Sequence, residues 1–380
     1  MKLSKVACGV TIALLSCVEP YEPEFKDETF DILVVDGFIN TTENSATVRL
    51  SRAVPLKSEL PTSQEVNATV NIEGEGGTIF LLSNMGSGVY FADNLGIDQS
   101  MKYRVHIYSQ ADQEFVSDYV DMTNTPPIDS VIWKPDRGGI SVYVNTHDPA
   151  DNSHYYSWKF NETWEYTSSF FSGYKMADRE AVIRYPEDYI YTCWLSEGST
   201  KILVGSTDRL SENVIRDFPL TYLAAESPKL AQRYSIDVHQ RSLTKEEYDF
   251  WLQLEKTTES LGGLFDPMPS QVIGNIRSTN PSAASPVLGY FGGGSISKQR
   301  IFIDFVDLPQ YVQSVFRPRH CTEEFVSEIP VQDIPGTPNS VYLIDPIYVQ
   351  GVGIVAYTTA AVDCVDCRWF GGTNKKPDFW

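Results

Sequence analysis

The chain reads as a mainly β protein: an N-terminal immunoglobulin-like or transthyretin-like β-sandwich, then a larger β-rich domain with one packed helix. Three observations carry this. Short runs of alternating apolar and polar residues recur from Asp31 onward, with turn residues between them. One stretch, Leu243 to Leu261, has helical spacing. Tyr 21, Phe 19 and Trp 7 in 380 residues supply the apolar bulk of folded cores, so disorder is expected only in a short tether.

Residues 1–16 have the build of a lipoprotein signal peptide. Lys2 and Lys5 precede an apolar stretch, Val6 to Leu15, too short to span a bilayer as a stable helix. It ends Leu14-Leu15-Ser16-Cys17, the lipobox order of Leu, a tolerant position, a small residue and Cys. The small residue suits the signal peptidase, and the Cys17 thiol takes the diacylglycerol. No second apolar run of about eighteen residues follows, so the expected membrane anchor is the lipid on Cys17. Residues 17–30 form an acidic tether, in which two prolines and five acids lie between Val18 and Glu28. Acids directly after the lipidated Cys resemble the surface-export signal of Bacteroidota lipoproteins. That implies an outer-membrane protein facing the cell surface; a plain periplasmic spacer is the alternative.

Residues 31–125 make the first sandwich. Ile32 to Gly37, Ala46 to Arg52, Ala68 to Glu73, Gly77 to Leu82, Gly88 to Ala92, Lys102 to Tyr108 and Glu114 to Val120 read as strands. About seven strands at even spacing are the signature of such a sandwich. Asn124-Thr-Pro-Pro closes it as a linker. Residues 126–380 make the second domain. Ile128 to Trp133, Gly139 to Asn145 and Tyr155 to Glu165 alternate clearly. Tyr166 to Tyr191 is aromatic and turn-rich, and reads as a loop or lid. In the helix near 243–261, Thr244 and Glu247 fit a capping box. Trp251, Leu254, Thr258 and Leu261 share one face, and Gly262-Gly263 ends it. Gly289 to Ser295 reads as a turn, and Ile301 to Val306 and Ser340 to Ile344 as strands.

The formal charge is −20, and loss of Lys2 and Lys5 with the signal makes it about −22. Such a balance opposes nucleic acid and anionic lipid surfaces as partners. Four cysteines remain once Cys8 leaves with the signal and Cys17 is lipidated: Cys193, Cys321, Cys364 and Cys367. In an oxidising compartment an even number points to two disulfides, with three pairings open. Cys364-Val-Asp-Cys367 also has redox and zinc readings. A redox pair usually opens a helix after a strand, and a four-Cys zinc site normally uses two such pairs.

No GxSxG, HExxH or phosphate-loop motif occurs. His106 and His239 lie in strand-like runs and read as packing residues. His147, Asp148, Asp151 and His154 resemble a metal set but equally spell a turn, and no metal or cofactor is expected. Glu162 and Glu165 fall on opposite strand faces, which opposes a glycosidase pair. Asp129-Ser130-Val131 resembles a short O-glycosylation pattern. Trp158, Trp164, Phe170, Phe171 and Tyr174 are candidates for stacking on a sugar or gripping a peptide, with packing as the alternative role.

The whole pattern resembles the Bacteroidota lipoprotein family of domain of unknown function 4249. Its carriers are Cys17 followed by Glu-Pro, Leu33-Val-Val-Asp-Gly, Val48-Arg-Leu-Ser-Arg, Tyr155-Tyr-Ser-Trp and Thr163-Trp-Glu. Further on come Tyr191-Thr-Cys-Trp, Arg233-Tyr-Ser-Ile-Asp-Val-His-Gln, Gly263-Leu-Phe-Asp-Pro-Met-Pro-Ser, Gly274-Asn-Ile and Gly289-Tyr-Phe. The end, Cys364 to Trp380, is the most specific piece. The resemblance implies an outer-membrane lipoprotein commonly associated with a TonB-dependent β-barrel transporter, and supplies no catalytic residues. The expected role is a non-catalytic accessory or binding subunit. A surface adhesin for glycan or protein and a hydrolase with an unrecognised site are the alternatives. Phe265 to Ser270 and Pro377 to Trp380 read as partner-docking segments or as core clamps.

Overall fold

Side chains alternate across a strand, so every second residue of Leu33–Asn40 and Ser45–Arg52 points one way. Leu33, Val35, Ile39, Val48 and Leu50 are buried, while Asp36, Phe38, Thr47 and Arg49 face outward. The computed structural model describes residues 32–53, 63–110, 113–177, 180–259, 272–280, 287–315, 321–322, 326–335 and 342–380. The signal peptide, Cys17, the tether and the segment 265–270 lie outside them.

The first unit stacks two sheets. One runs in the order Val287–Gly294, Leu33–Asn40, Ser45–Arg52, Val89–Ala92, Ser83–Gly86, with Ser63–Gln64 beside Ser45–Arg52. The other runs Ile276–Ser278, Glu114–Ser117, Tyr103–Tyr108, Thr69–Gly74, Ile79–Leu81. Their inner faces bury Val70, Ile72, Tyr90, Val105, Ile107, Phe115 and Phe291 together with the residues above. Each such side chain contributes roughly 1.5–3 kcal/mol of hydrophobic stabilisation. The expected sandwich is present.

Two expectations change here. Gly289 to Ser295 is not a turn: Val287–Gly294 is a buried strand, parallel to Leu33–Asn40 in full register. Its glycines permit that closeness. A methyl group on Gly293 would collide with the Met122 side chain, and one on Gly292 with the Glu247 carboxylate. The division at 125/126 is also crossed, because Ile276–Ser278 and Val287–Gly294 return to complete the first sandwich. The Asn124-Thr-Pro-Pro segment is accordingly no free linker. The Thr123 and Ser295 amides donate to Gly293 and Thr123 carbonyls at 3.0 and 2.9 Å. Thr125 Oγ1 donates to the Ser295 carbonyl at 2.5 Å and accepts from the Ser242 amide at 2.9 Å.

The second unit packs Ile128–Asp136, Gly139–His147 and Val214–Ala224 against a larger sheet. That sheet runs Thr192–Gly198, Tyr155–Thr167, Arg233–Ser242, Ile296–Asp304, with Leu203–Ser206 beside Tyr155–Thr167. Ile140, Val142, Val144, Tyr156, Trp158, Phe160, Ile236, Val238 and Ile303 fill the space between. The helix Lys245–Glu259 forms where expected, and the Glu247 amide donates to Thr244 Oγ1 at 3.1 Å.

Two smaller cores lie toward the C-terminus among the described residues. One joins the hairpin Tyr174–Ala177 and Glu180–Ile183 to the sheet Ser327–Pro330, Gly353–Ala360, Tyr342–Val349, and the other gathers Ile190, Ile344, Cys364 and Val365. Part of the tract expected as a loop or lid is therefore a hairpin. Disulfides Cys193–Cys367 and Cys321–Cys364 fasten this region. Among the described residues no helix is long and apolar enough to cross a membrane.

Candidate functional site

The outward faces of the two units meet at a groove of about 270 Å³. One wall is the first sandwich, where Asp36 lies opposite Arg49, Phe38 opposite Thr47, and Thr47 opposite Phe91. The other wall is the large sheet of the second unit. There Lys159, His239 and Lys298 form one row across three strands, and Arg241 follows two residues after His239. The chain passes between the two units at 123–125 and 293–295, where these segments are hydrogen-bonded to each other.

Four cations and two carboxylates line this space. Asp36 sits between Arg49, at 3.8 Å, and Lys159, at 3.4 Å. Both cations keep more than half of their side-chain surface exposed. Glu43 pairs closely with Lys298, and that hydrogen bond, outweighing burial, holds its carboxyl below the usual range. Arg241 is different, with only 12 % of its side chain exposed. Its guanidinium lies 4.3 Å from the centre of the Phe38 ring and 3.6 Å from the Glu247 carboxylate. Glu247 is itself buried on the helix, where Trp251 Nε1 donates to it at 3.3 Å. Burial pushes the Glu247 carboxyl up, against the pull of Arg241. Arg241 is thus a braced, buried cation and Arg49 and Lys159 are exposed ones. His239 Nε2 faces Asp237 Oδ2 at 3.0 Å, and among the described residues no groove hydroxyl is hydrogen-bonded to it. This arrangement suits charge recognition more than nucleophilic attack.

The aromatic candidates do not assemble into one surface. Trp158 is 1 % exposed and Trp164 5 %, so neither ring is open to a ligand. Both belong to the core parity of Tyr155–Thr167; Trp158 Nε1 donates to Gln240 at 2.8 Å, and Trp164 lies under Lys229. Phe170 is half-buried against the Ile190, Ile344 and Cys364 cluster, and Tyr174 packs edge-on to Tyr357. Phe171 alone of the five is exposed, against Tyr189 and Tyr191.

The four cysteines pair across the CxxC instead of within it: Cys367 reaches Cys193 and Cys364 reaches Cys321. Cys193, Cys364 and Cys367 are buried. Asp148 accepts from the Ala150, Asn152 and Ser153 amides at 2.8–3.0 Å, and His147 faces Asp129. That is turn wiring. Burial raises the Asp148 carboxyl and the three amides more than offset it, leaving it low. Glu162 accepts from Tyr234 at 2.6 Å and Lys229 at 2.7 Å inside the fold, whereas Glu165 accepts from Trp380 Nε1 at 2.9 Å. The C-terminal Phe379 and Trp380 lie on Arg300 and Phe302, so this segment clamps its own sheet. His106 is more than a packing residue: its ring nitrogens face Glu73 and Glu114, each at 2.6 Å.

No single segment of the sequence announces the groove. The available signal was the run of outward positions in separate strands, Arg49, Lys159, Arg241 and Lys298, in a chain with Lys+Arg 30 against Asp+Glu 50. Among curated proteins none matches the chain. A solved structure, selenomethionine-substituted chicken interferon gamma receptor alpha chain, is similar at 12 % identity over 55 % of this chain and 86 % of that one. Its TM-score of 0.16 carries no argument. The family match stops short of the C-terminal Cys364 to Trp380 piece. It covers most of the remainder, and the chain belongs to the family described as Domain of unknown function (DUF4249), matched over residues 18–300.

Proposed function

We propose that this chain is a lipid-anchored, surface-exposed outer-membrane lipoprotein and a non-catalytic accessory or binding subunit of a TonB-dependent transporter. The observation that carries the binding role is the groove, a preformed concave space with cations and aromatic rings on two rigid sheets. The lipobox at Cys17 and the acidic tether support the location. The groove also favours a second reading, a surface adhesin for glycan or protein.

A tagged copy purified from outer membranes in mild detergent and analysed by mass spectrometry tests the role. A TonB-dependent barrel in comparable amount is expected. Emergence of the protein alone after gentle extraction sinks the transporter role and leaves the adhesin reading.

A further inference from the structure

We infer that the groove takes an acidic sugar unit, of the size and charge of one hexuronate. This rests on the groove being the binding site proposed above. Charge comes first. Arg49 and Lys159 share one carboxylate, Asp36, at separations longer than a close ion pair. Their exposed heads are free to turn toward an incoming carboxylate at little cost, because exposed pairs of this kind contribute little to stability. Arg241, braced between Phe38 and Glu247, adds a bidentate donor whose position is already set.

Shape narrows the class. Four of the strands that supply the walls, Leu33–Asn40, Ser45–Arg52, Tyr155–Thr167 and Arg233–Ser242, are interior to their sheets, and Ile296–Asp304, which supplies Lys298, is an edge strand. Leu33–Asn40 is flanked by Val287–Gly294 and Ser45–Arg52, and Arg233–Ser242 by Tyr155–Thr167 and Ile296–Asp304. The backbone groups of the interior strands are used in the ladders, and at the groove end of the edge strand the Ile296 amide donates to Thr42 Oγ1 at 2.9 Å while its carbonyl accepts from that hydroxyl at 3.3 Å, so an extended peptide finds little edge to extend at the groove. Recognition there is by side chains, on a compact ligand. The volume lies just below the roughly 300–1,000 Å³ of sites for drug-sized ligands, which sets the scale at one ring. The Phe38 and Phe91 rings offer apolar surface to the C–H face of such a ring. Thr47 adds a half-exposed hydroxyl beside them, suited to a sugar hydroxyl, while Asn40 Oδ1 is occupied by the Thr42 and Glu43 amides at 3.0 and 3.3 Å. A nucleotide or polyanion fits less well in a chain of charge −20.

Calorimetric titration of the full mature chain with D-glucuronate, D-glucose and sodium sulfate tests this. Glucuronate is expected to bind at least about tenfold more tightly than either of the others. The R49A/K159A variant should lose at least about tenfold in glucuronate affinity with its thermal unfolding little changed, since both side chains are exposed. Equal affinity for glucose removes the charge argument. Equal affinity for sulfate removes the sugar argument. Full retention by R49A/K159A removes the site. If glucuronate does not bind while a barrel still co-purifies, the inference falls and the accessory role stands. If glucuronate binds as expected while no barrel co-purifies, the transporter role falls and the ligand assignment holds.

Discussion

Replacing Cys193 and Cys367 with alanine should destabilise the protein more than replacing Cys321 and Cys364. A disulfide restricts the unfolded chain more as the loop it closes grows, in the chain-entropy account. Cys321–Cys364 spans 43 residues, which corresponds to about 4 kcal/mol at 25 °C. Cys193–Cys367 spans 174 residues, but with the first bond in place the new loop runs from 193 to 321 and then from 364 to 367. That shorter path of about 130 residues corresponds to about 5 kcal/mol. Measured losses commonly fall at 2–4 kcal/mol, so the order of the two variants is the firmer expectation. Urea unfolding followed by tryptophan fluorescence reads both, with Trp194 next to Cys193 as a local reporter. Non-reducing peptide mapping must first return the cross-pairing. A peptide joining Cys364 to Cys367, or a loss below about 1 kcal/mol for both double variants, refutes the reasoning.

Trp158→Ala should cost about 3–5 kcal/mol in urea unfolding, because a fully buried indole is removed and Gln240 loses its donor; a loss under 1 kcal/mol contradicts the core placement. Gly293→Val should cost about 1–3 kcal/mol or more by crowding Met122 and Ile39, and an unchanged melting temperature contradicts the buried strand. Burial raises the Glu73 carboxyl, but hydrogen bonds from His106 and Arg104 win and leave it lowered. Bonds from Thr279 and then His106 lower that of Glu114. Depressed folded values stabilise fully above the unfolded value of 4.5 and lose that contribution as pH falls through them. The stability gap between parent and His106→Ala should therefore be widest above pH 4.5 and narrow on acidification; a gap that widens in acid contradicts the pairing.

What the sequence disclosed followed from local periodicity. Ala46 to Arg52 alternates, and a strand stands there; Thr244 and Glu247 announce a helix start, and Thr244 caps it. Parity also held the answer for the tryptophans. Tyr156, Trp158, Phe160, Glu162 and Trp164 share one face of their strand, so reading the two tryptophans with the turn-rich aromatic tract overlooked the face they share. The glycine strand was less accessible. Four glycines in eight residues have poor strand propensity, and only the crowding by Met122, Ile39 and Glu247 explains why side chains are absent there. Glu247 shows the same limit. Its spacing from Thr244 suits a cap, yet its carboxylate turns inward to Arg241, a partner set by tertiary packing.

The groove lies beyond any local pattern, since Asp36 and Lys159 meet across 123 residues and Glu43 and Lys298 across 255. Its dependence on the chain's return path is what makes it a plausible site and not an accidental gap. A groove between units on a free linker would change width with every hinge motion. Here two chain crossings are hydrogen-bonded to each other, and the strand after the second crossing enters the second unit directly as Ile296–Asp304. Both walls are thereby held before any ligand arrives, and a preorganised site spends less of its binding energy on ordering. A cationic cleft in an acidic surface also concentrates field lines, so an anion repelled elsewhere on the molecule is drawn there. Rigidity and charge contrast converge on the same small volume, and it is there, not in the buried tryptophans, that a ligand is to be sought.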